Sequence, residues 1–156
     1  MAFVVPASAA ALLVWLTLSI QSAGMATLIH WVRGCLRRGV YRIGIIRSGG
    51  LMVRFTSLIF VLHLLQILLW AAFYRWNCLP SWEAAFYFSA ASYSTVGYGD
   101  LVLPRIWRTL GPLESVTGVL MCGLSAALLF AIIIRLVERE GRFSPEPEHA
   151  VDERRT

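Results

Sequence analysis

The chain has 156 residues, of which 58% are hydrophobic and 15% charged, with a mean hydropathy of +0.67. That composition excludes an ordinary soluble domain of this length and points to an integral membrane protein. The formal charge of +5 comes from arginine alone, since lysine is absent; beside membrane spans such charges mark a cytoplasmic side rather than a nucleic-acid partner.

Residues 3 to 29 carry no charged side chain and can cross about 30 Å of hydrocarbon. A secretory signal is the competing reading, because Ala7-Ser8-Ala9 and Ser22-Ala23-Gly24 loosely resemble cleavage sites. The start lacks a basic residue, however, and export would carry the following arginines outward. The reading is therefore a retained N-terminal span over 1–32, with its N-terminus outside.

Segment 33–54 is basic, and Arg33, Arg37, Arg38, Arg42, Arg47 and Arg54 fall within it. Val32, Leu36, Val40 and Ile43 recur at helical spacing away from the first three arginines, which predicts an amphipathic helix on the inner membrane surface. The glycines at 34, 39, 44 and 49 weaken it. A voltage sensor would need arginines inside a spanning helix with a bundle around them, and one further span does not supply that.

Residues 55–74 form an apolar run bounded by Arg54 and Arg75, a second span and outer helix. His63 and Gln66, three apart, share one face of it. They are either a proton-sensitive pair or interhelical hydrogen-bond partners, and the second reading is preferred. Asn77, Cys78 and Pro80 then make a short outer turn. Ser81 is a candidate N-cap, with Glu83 favourable in the first turn of a helix over 82–94. That helix is too short to span and reads as re-entrant.

It leads into Thr95-Val96-Gly97-Tyr98-Gly99-Asp100. Here the chain resembles the potassium channels, whose pore signature is T-V-G-Y-G followed by an acid. The resemblance implies a pore helix, a selectivity filter over 95–100 and a fourfold tetramer. It implies that potassium binds the carbonyls of Thr95, Val96, Gly97 and Tyr98, with the Thr95 hydroxyl replacing further water. Successive carbonyls can share one side only if left- and right-handed backbone alternate, which Gly97 and Gly99 allow cheaply. Val96 and Tyr98 then turn outward, where the Tyr98 ring can pack.

The chain departs from the family behind the filter. Ala91 stands where some bacterial channels carry a glutamate, and Tyr87 and Phe88 stand where many carry two tryptophans. Tyr87 keeps a hydroxyl able to reach Asp100, whereas Phe88 keeps only a ring. Ser94 replaces a threonine. Filter support is accordingly expected from Asp100, Tyr87, Phe88 and Ala91, with the Tyr87–Asp100 contact as the main polar brace. Arg105 and Arg108 near the outer mouth should lower conductance in a salt-dependent way.

Beyond the filter, residues 115–134 form a third uncharged run between Glu114 and Arg135, giving an inner helix over 113–138. Gly118 and Gly123 interrupt it. In the resembling family a glycine here serves as a gating hinge, and Gly118 is placed ahead of Gly123; close helix packing at small residues is the compatible alternative. By the same resemblance Cys122, Ala126 and Phe130 form an i, i+4, i+8 stripe facing a cavity. Phe130 there either gates by dewetting or packs on lipid or a neighbour. Residues 141–156 are polar, with Pro145 and Pro147, and read as a disordered tail.

With 33–54 inside, the second span runs outward and the third returns to Arg135, Arg139 and Arg142, so charge and motif agree on a cytoplasmic C-terminus. Cys35, Cys78 and Cys122 fall in three separate regions and read as free thiols. The fold class expected is an all-α membrane protein with three transmembrane helices, a re-entrant pore helix and a filter loop, over a pore domain of 55–140. The expected function is passive potassium conduction by a homotetramer in membrane lipid. Bound potassium ions are the only ligand, with no cofactor, nucleic-acid partner or ligand-binding domain. A non-conducting accessory subunit and a weakly selective cation channel are the alternatives, and an intramembrane hydrolase using His63 lacks a nucleophile.

Overall fold

The computed structural model describes residues 4–37 and 44–141. It contains four helices: α1 (Val4–Arg37), α2 (Gly44–Asn77), α3 (Trp82–Tyr93) and α4 (Leu110–Gly141). Among the described residues there is no strand. Val5–Gly34, Gly49–Asn77 and Leu110–Arg135 are long and apolar enough to cross a membrane. The chain is an integral membrane protein of the all-α class.

Two apolar clusters mark opposite ends of the bundle. At one end Leu13 of α1 meets Trp70, Ala71 and Tyr74 of α2, Ala85 of α3 and Leu110 of α4. At the other, Leu28 and Val32 of α1 meet Phe55 and Ile59 of α2 and Ile132 of α4. The three long helices therefore run as alternating antiparallel neighbours. The short α3 packs at the first end, chiefly against α2 and α4.

The long helices overrun the lengths read from hydropathy, because hydropathy reports only where a helix is apolar. α1 continues to Arg37 and α2 begins at Gly44 rather than 55. Residues 31–37 thus belong to α1 and residues 44–54 to α2. Residues 38–43 lie outside the described residues, and with them the outer half of the proposed apolar stripe. Each glycine in the first turns of α2 costs about 1 kcal/mol relative to alanine. Packing offsets that cost: Leu51 and Met52 join the second cluster, and the Arg54 guanidinium lies 5.1 Å from the Trp31 ring centre. α4 starts at Leu110, three residues before the expected 113, and passes unbroken through both glycines. The tail from 142 lies outside the described residues.

Candidate functional site

The site begins with the cap of α3. Ser81 is extended, at φ −135° and ψ 157°, and its hydroxyl accepts from the Ala84 amide at 3.1 Å. That satisfies one of the amides a helix leaves unpaired at its start, and Glu83 sits on the favourable end of the dipole. Twelve residues later the helix ends at Tyr93, with Ser94 as its C-cap.

The chain then folds back on the helix end. The Thr95 amide donates to the Ser92 carbonyl at 2.9 Å and the Gly97 amide to the Ala91 carbonyl at 3.1 Å. Ser94 Oγ donates to the Ala90 carbonyl at 2.7 Å. From there the backbone alternates: φ is positive at Thr95 (62°), Gly97 (50°) and Gly99 (79°), with Val96 and Tyr98 between them. The two glycines occupy conformations they adopt at little cost. Thr95 does not; a β-branched residue at positive φ is an outlier costing about 1–3 kcal/mol, tolerated where the surroundings fix it. The hydrogen bond from the Thr95 amide to the Ser92 carbonyl is part of what fixes it.

Behind this loop stands Tyr87. Its hydroxyl donates to Asp100 Oδ2 at 2.8 Å, while the Leu101 amide donates to Oδ1 at 3.0 Å. The bond to Asp100 holds the phenolic proton and raises the Tyr87 pKa above its ordinary value, with slight burial adding to it. The Tyr87 ring also stacks on Tyr98, 6.2 Å between centres and 10° between planes. Ala91 serves through its carbonyl, which accepts from Gly97. Phe88 points elsewhere: it meets Tyr74 edge-on at 5.1 Å and lies under Gly111, so its ring braces α3 against α2 and α4 rather than the loop.

A family model described as an ion channel matches residues 56–135, just over half of the chain. The chain belongs to the ion channel family. No curated protein and no solved structure matches it.

In this channel α4 is the support of the loop from the other side. Ser115 Oγ donates to the Ser92 carbonyl at 2.6 Å. A Cβ at Gly118 would overlap the Tyr93 carbonyl oxygen, so the glycine is required by the approach of α4 to the end of α3. Nothing lies within 4 Å of a Cβ at Gly123. The buried face of α4 runs through Glu114, Thr117, Met121, Ser125 and Ile132, leaving Cys122, Ala126 and Phe130 uncovered by the rest of the chain. Phe130 is 65% exposed.

Glu114 and the Trp70–Thr17 pair escape a reading of the sequence, and so do the partners, though not the interhelical role, of His63 and Gln66. Glu114 looks like a boundary charge but is fully buried, accepting from Tyr74 Oη at 2.8 Å and lying 2.5 Å from Ser89 Oγ. The Trp70 indole donates to Thr17 of α1 at 3.0 Å. His63 and Gln66, paired in the sequence by their spacing, meet through Tyr93, which is 2.8 Å from His63 Nδ1 and donates to Gln66 Oε1 at 2.6 Å. No local pattern signals these partners, because each lies on another helix. Cys78, half-buried in the turn between α2 and α3, is a free thiol whose pKa burial pushes up to about 11.

Proposed function

We propose that this channel conducts potassium through a pore shared by four copies of the chain. The single observation that carries the reading is the alternation of positive φ at Thr95, Gly97 and Gly99 within the sequence Thr-Val-Gly-Tyr-Gly. Alternating backbone turns successive carbonyls toward one side, and four such strands around an axis make stacked rings of oxygen. A dehydrated potassium ion passes between rings formed by Thr95, Val96, Gly97 and Tyr98, with the Thr95 hydroxyl at the inner end. Discrimination of about a thousandfold against sodium needs only about 4 kcal/mol. Tyr87 and Asp100 steady the outer end of this filter.

The proposed orientation places the N-terminus outside and the C-terminus in the cytoplasm. Arg33, Arg54 and Arg135 then share the cytoplasmic end, as the positive-inside bias favours. Cys122, Ala126 and Phe130 line the cavity below the filter, and bending of α4 near its glycines opens it.

Protein reconstituted alone into potassium-loaded liposomes tests this. A thallium flux blocked by barium and abolished by Gly97→Ala is expected, since alanine at φ +50° costs about 1–2 kcal/mol in each of four strands. A flux equal for sodium and potassium indicates a non-selective pore. Silence from a verified tetramer indicates an accessory subunit instead.

A further inference from the structure

Between the two apolar clusters lies a polar layer to which all four helices contribute. Gln21 Nε2 lies 2.9 Å from Ser125 Oγ and 3.3 Å from the Met121 carbonyl. Gln66 Nε2 lies 2.7 Å from Gln21 Oε1, and Tyr93 Oη 2.6 Å from Gln66 Oε1. His63 closes the circuit, with Nδ1 2.8 Å from Tyr93 Oη and Nε2 3.0 Å from Ser125 Oγ. Gln21 and Gln66 are 1% and 0% exposed.

The proton positions follow by elimination. The Met121 carbonyl can only accept, so the Gln21 group facing it is the amide NH2, which also donates to Ser125. Gln21 Oε1 then accepts from Gln66 Nε2, and Gln66 Oε1 accepts the single Tyr93 proton. With that proton spent, Tyr93 Oη accepts from His63 Nδ1–H. With the imidazole neutral, Nε2 accepts from Ser125, whose oxygen takes the Gln21 proton. The ring is closed and every bond runs in one direction, an arrangement in which each bond polarises the next.

We infer that Gln21 is a positioning residue for conduction, closing a ring that holds the end of α3 and the middle of α4 at a fixed separation. Tyr93 is the last residue of α3, two before Thr95, and Ser125 lies on α4 beyond Gly118 and Gly123. A movement of α4 relative to α3 therefore breaks the ring at Ser125. The first helix, which lies outside the matched channel region, supplies the member that orients the rest.

Single-channel recording of the full chain tests this, resting on the reading of the chain as a conducting pore. Gln21→Met, which keeps the volume and removes all three Gln21 bonds, should change open probability at least threefold with unitary conductance and ion preference unchanged. Ser125→Ala should do the same, and the double variant should be no worse than either alone. Unchanged open probability, or effects that multiply, would overturn the inference while leaving the pore reading intact. A second measurement needs no current. Nitrogen-15 spectra of histidine-labelled protein, assigned with His63→Gln, should show a neutral His63 protonated at Nδ1, and Gln21→Met should disturb that signal. A His63 protonated at Nε2, or indifferent to Gln21, overturns the inference even if the chain proves silent.

Discussion

Tyr87 holds the loop over 95–100 in two ways, and the two can be separated by substitution. Tyr87→Phe removes the bond to Asp100 but leaves a ring to stack on Tyr98. Current during sustained opening should decay several-fold faster, and Tyr87→Leu should be worse because the stack is lost as well. Equal decay in the Phe variant and the parent would show that the hydroxyl does not matter. pH gives the same information without mutation. The Tyr87 pKa is raised by its bond to Asp100, so the brace is complete below the ordinary tyrosine value of about 10 and is lost as pH rises through the raised value. Alkaline solution on the filter side should therefore hasten decay in the parent and leave Tyr87→Phe indifferent. This contact was legible in the sequence, since the motif fixes Asp100 and the short helix fixes Tyr87. The left-handed Thr95 was not, because a β-branched residue is the last one propensity places there.

For the helices, the two glycines of α4 part company. Gly118→Ala drives a methyl into the Tyr93 carbonyl, a backbone group that cannot swing aside, at a cost of about 1–3 kcal/mol or more. Gly123→Ala meets nothing and should gain up to about 1 kcal/mol of helix propensity. Thermal melts in lipid nanodiscs should show the first variant lowered and the second raised. A change of gating in Gly123→Ala alone would place the bend there and leave Gly118 with packing. Glu114 sets a second test between helices. Ser89 has one hydroxyl proton but faces both the Ile67 carbonyl at 2.9 Å and Glu114 Oε1 at 2.5 Å, so a neutral group able to donate suits position 114. Glu114→Gln, accepting from Tyr74 and donating to Ser89, should shift stability by under about 1 kcal/mol. Glu114→Leu strands buried partners at about 1–3 kcal/mol each. Equal loss in both variants would mean that the site needs an anion. Sequence periodicity could place Glu114 at a helix start but not say which side faced inward, because nearly every neighbour in an apolar span is apolar.

In the whole molecule, the question is what keeps α1 beside the channel region. Lipid tails are as apolar as the Leu28 and Val32 contacts, so burying those side chains against protein gains little in a bilayer, and close packing and hydrogen bonds must hold the helix. Close packing is weaker evidence here, since what a Cβ at Gly24 would overlap is a side chain, both Cδ atoms of Leu62 at 2.6 Å with its Cγ at 3.2 Å, and not backbone. Three side-chain pairs decide it, Thr17 with Trp70, Gln21 with Gln66 and Gln21 with Ser125. At about 0.6–2 kcal/mol each in a membrane, three bonds contribute about 2–6 kcal/mol. None was legible, because the partners stand 45 to 104 residues apart and Gln21 is one amide in an apolar run. A chain beginning at Gly44 should therefore still insert but melt lower, with the Trp70 indole and Gln66 amide left in hydrocarbon. A synthetic peptide of residues 4–37 added in trans should restore most of the loss. The same peptide with Thr17→Val and Gln21→Met should not, since it offers the same apolar surface without the bonds. Equal rescue by both peptides would mean that shape alone seats α1, and the polar layer would then be a consequence of the packing rather than its cause.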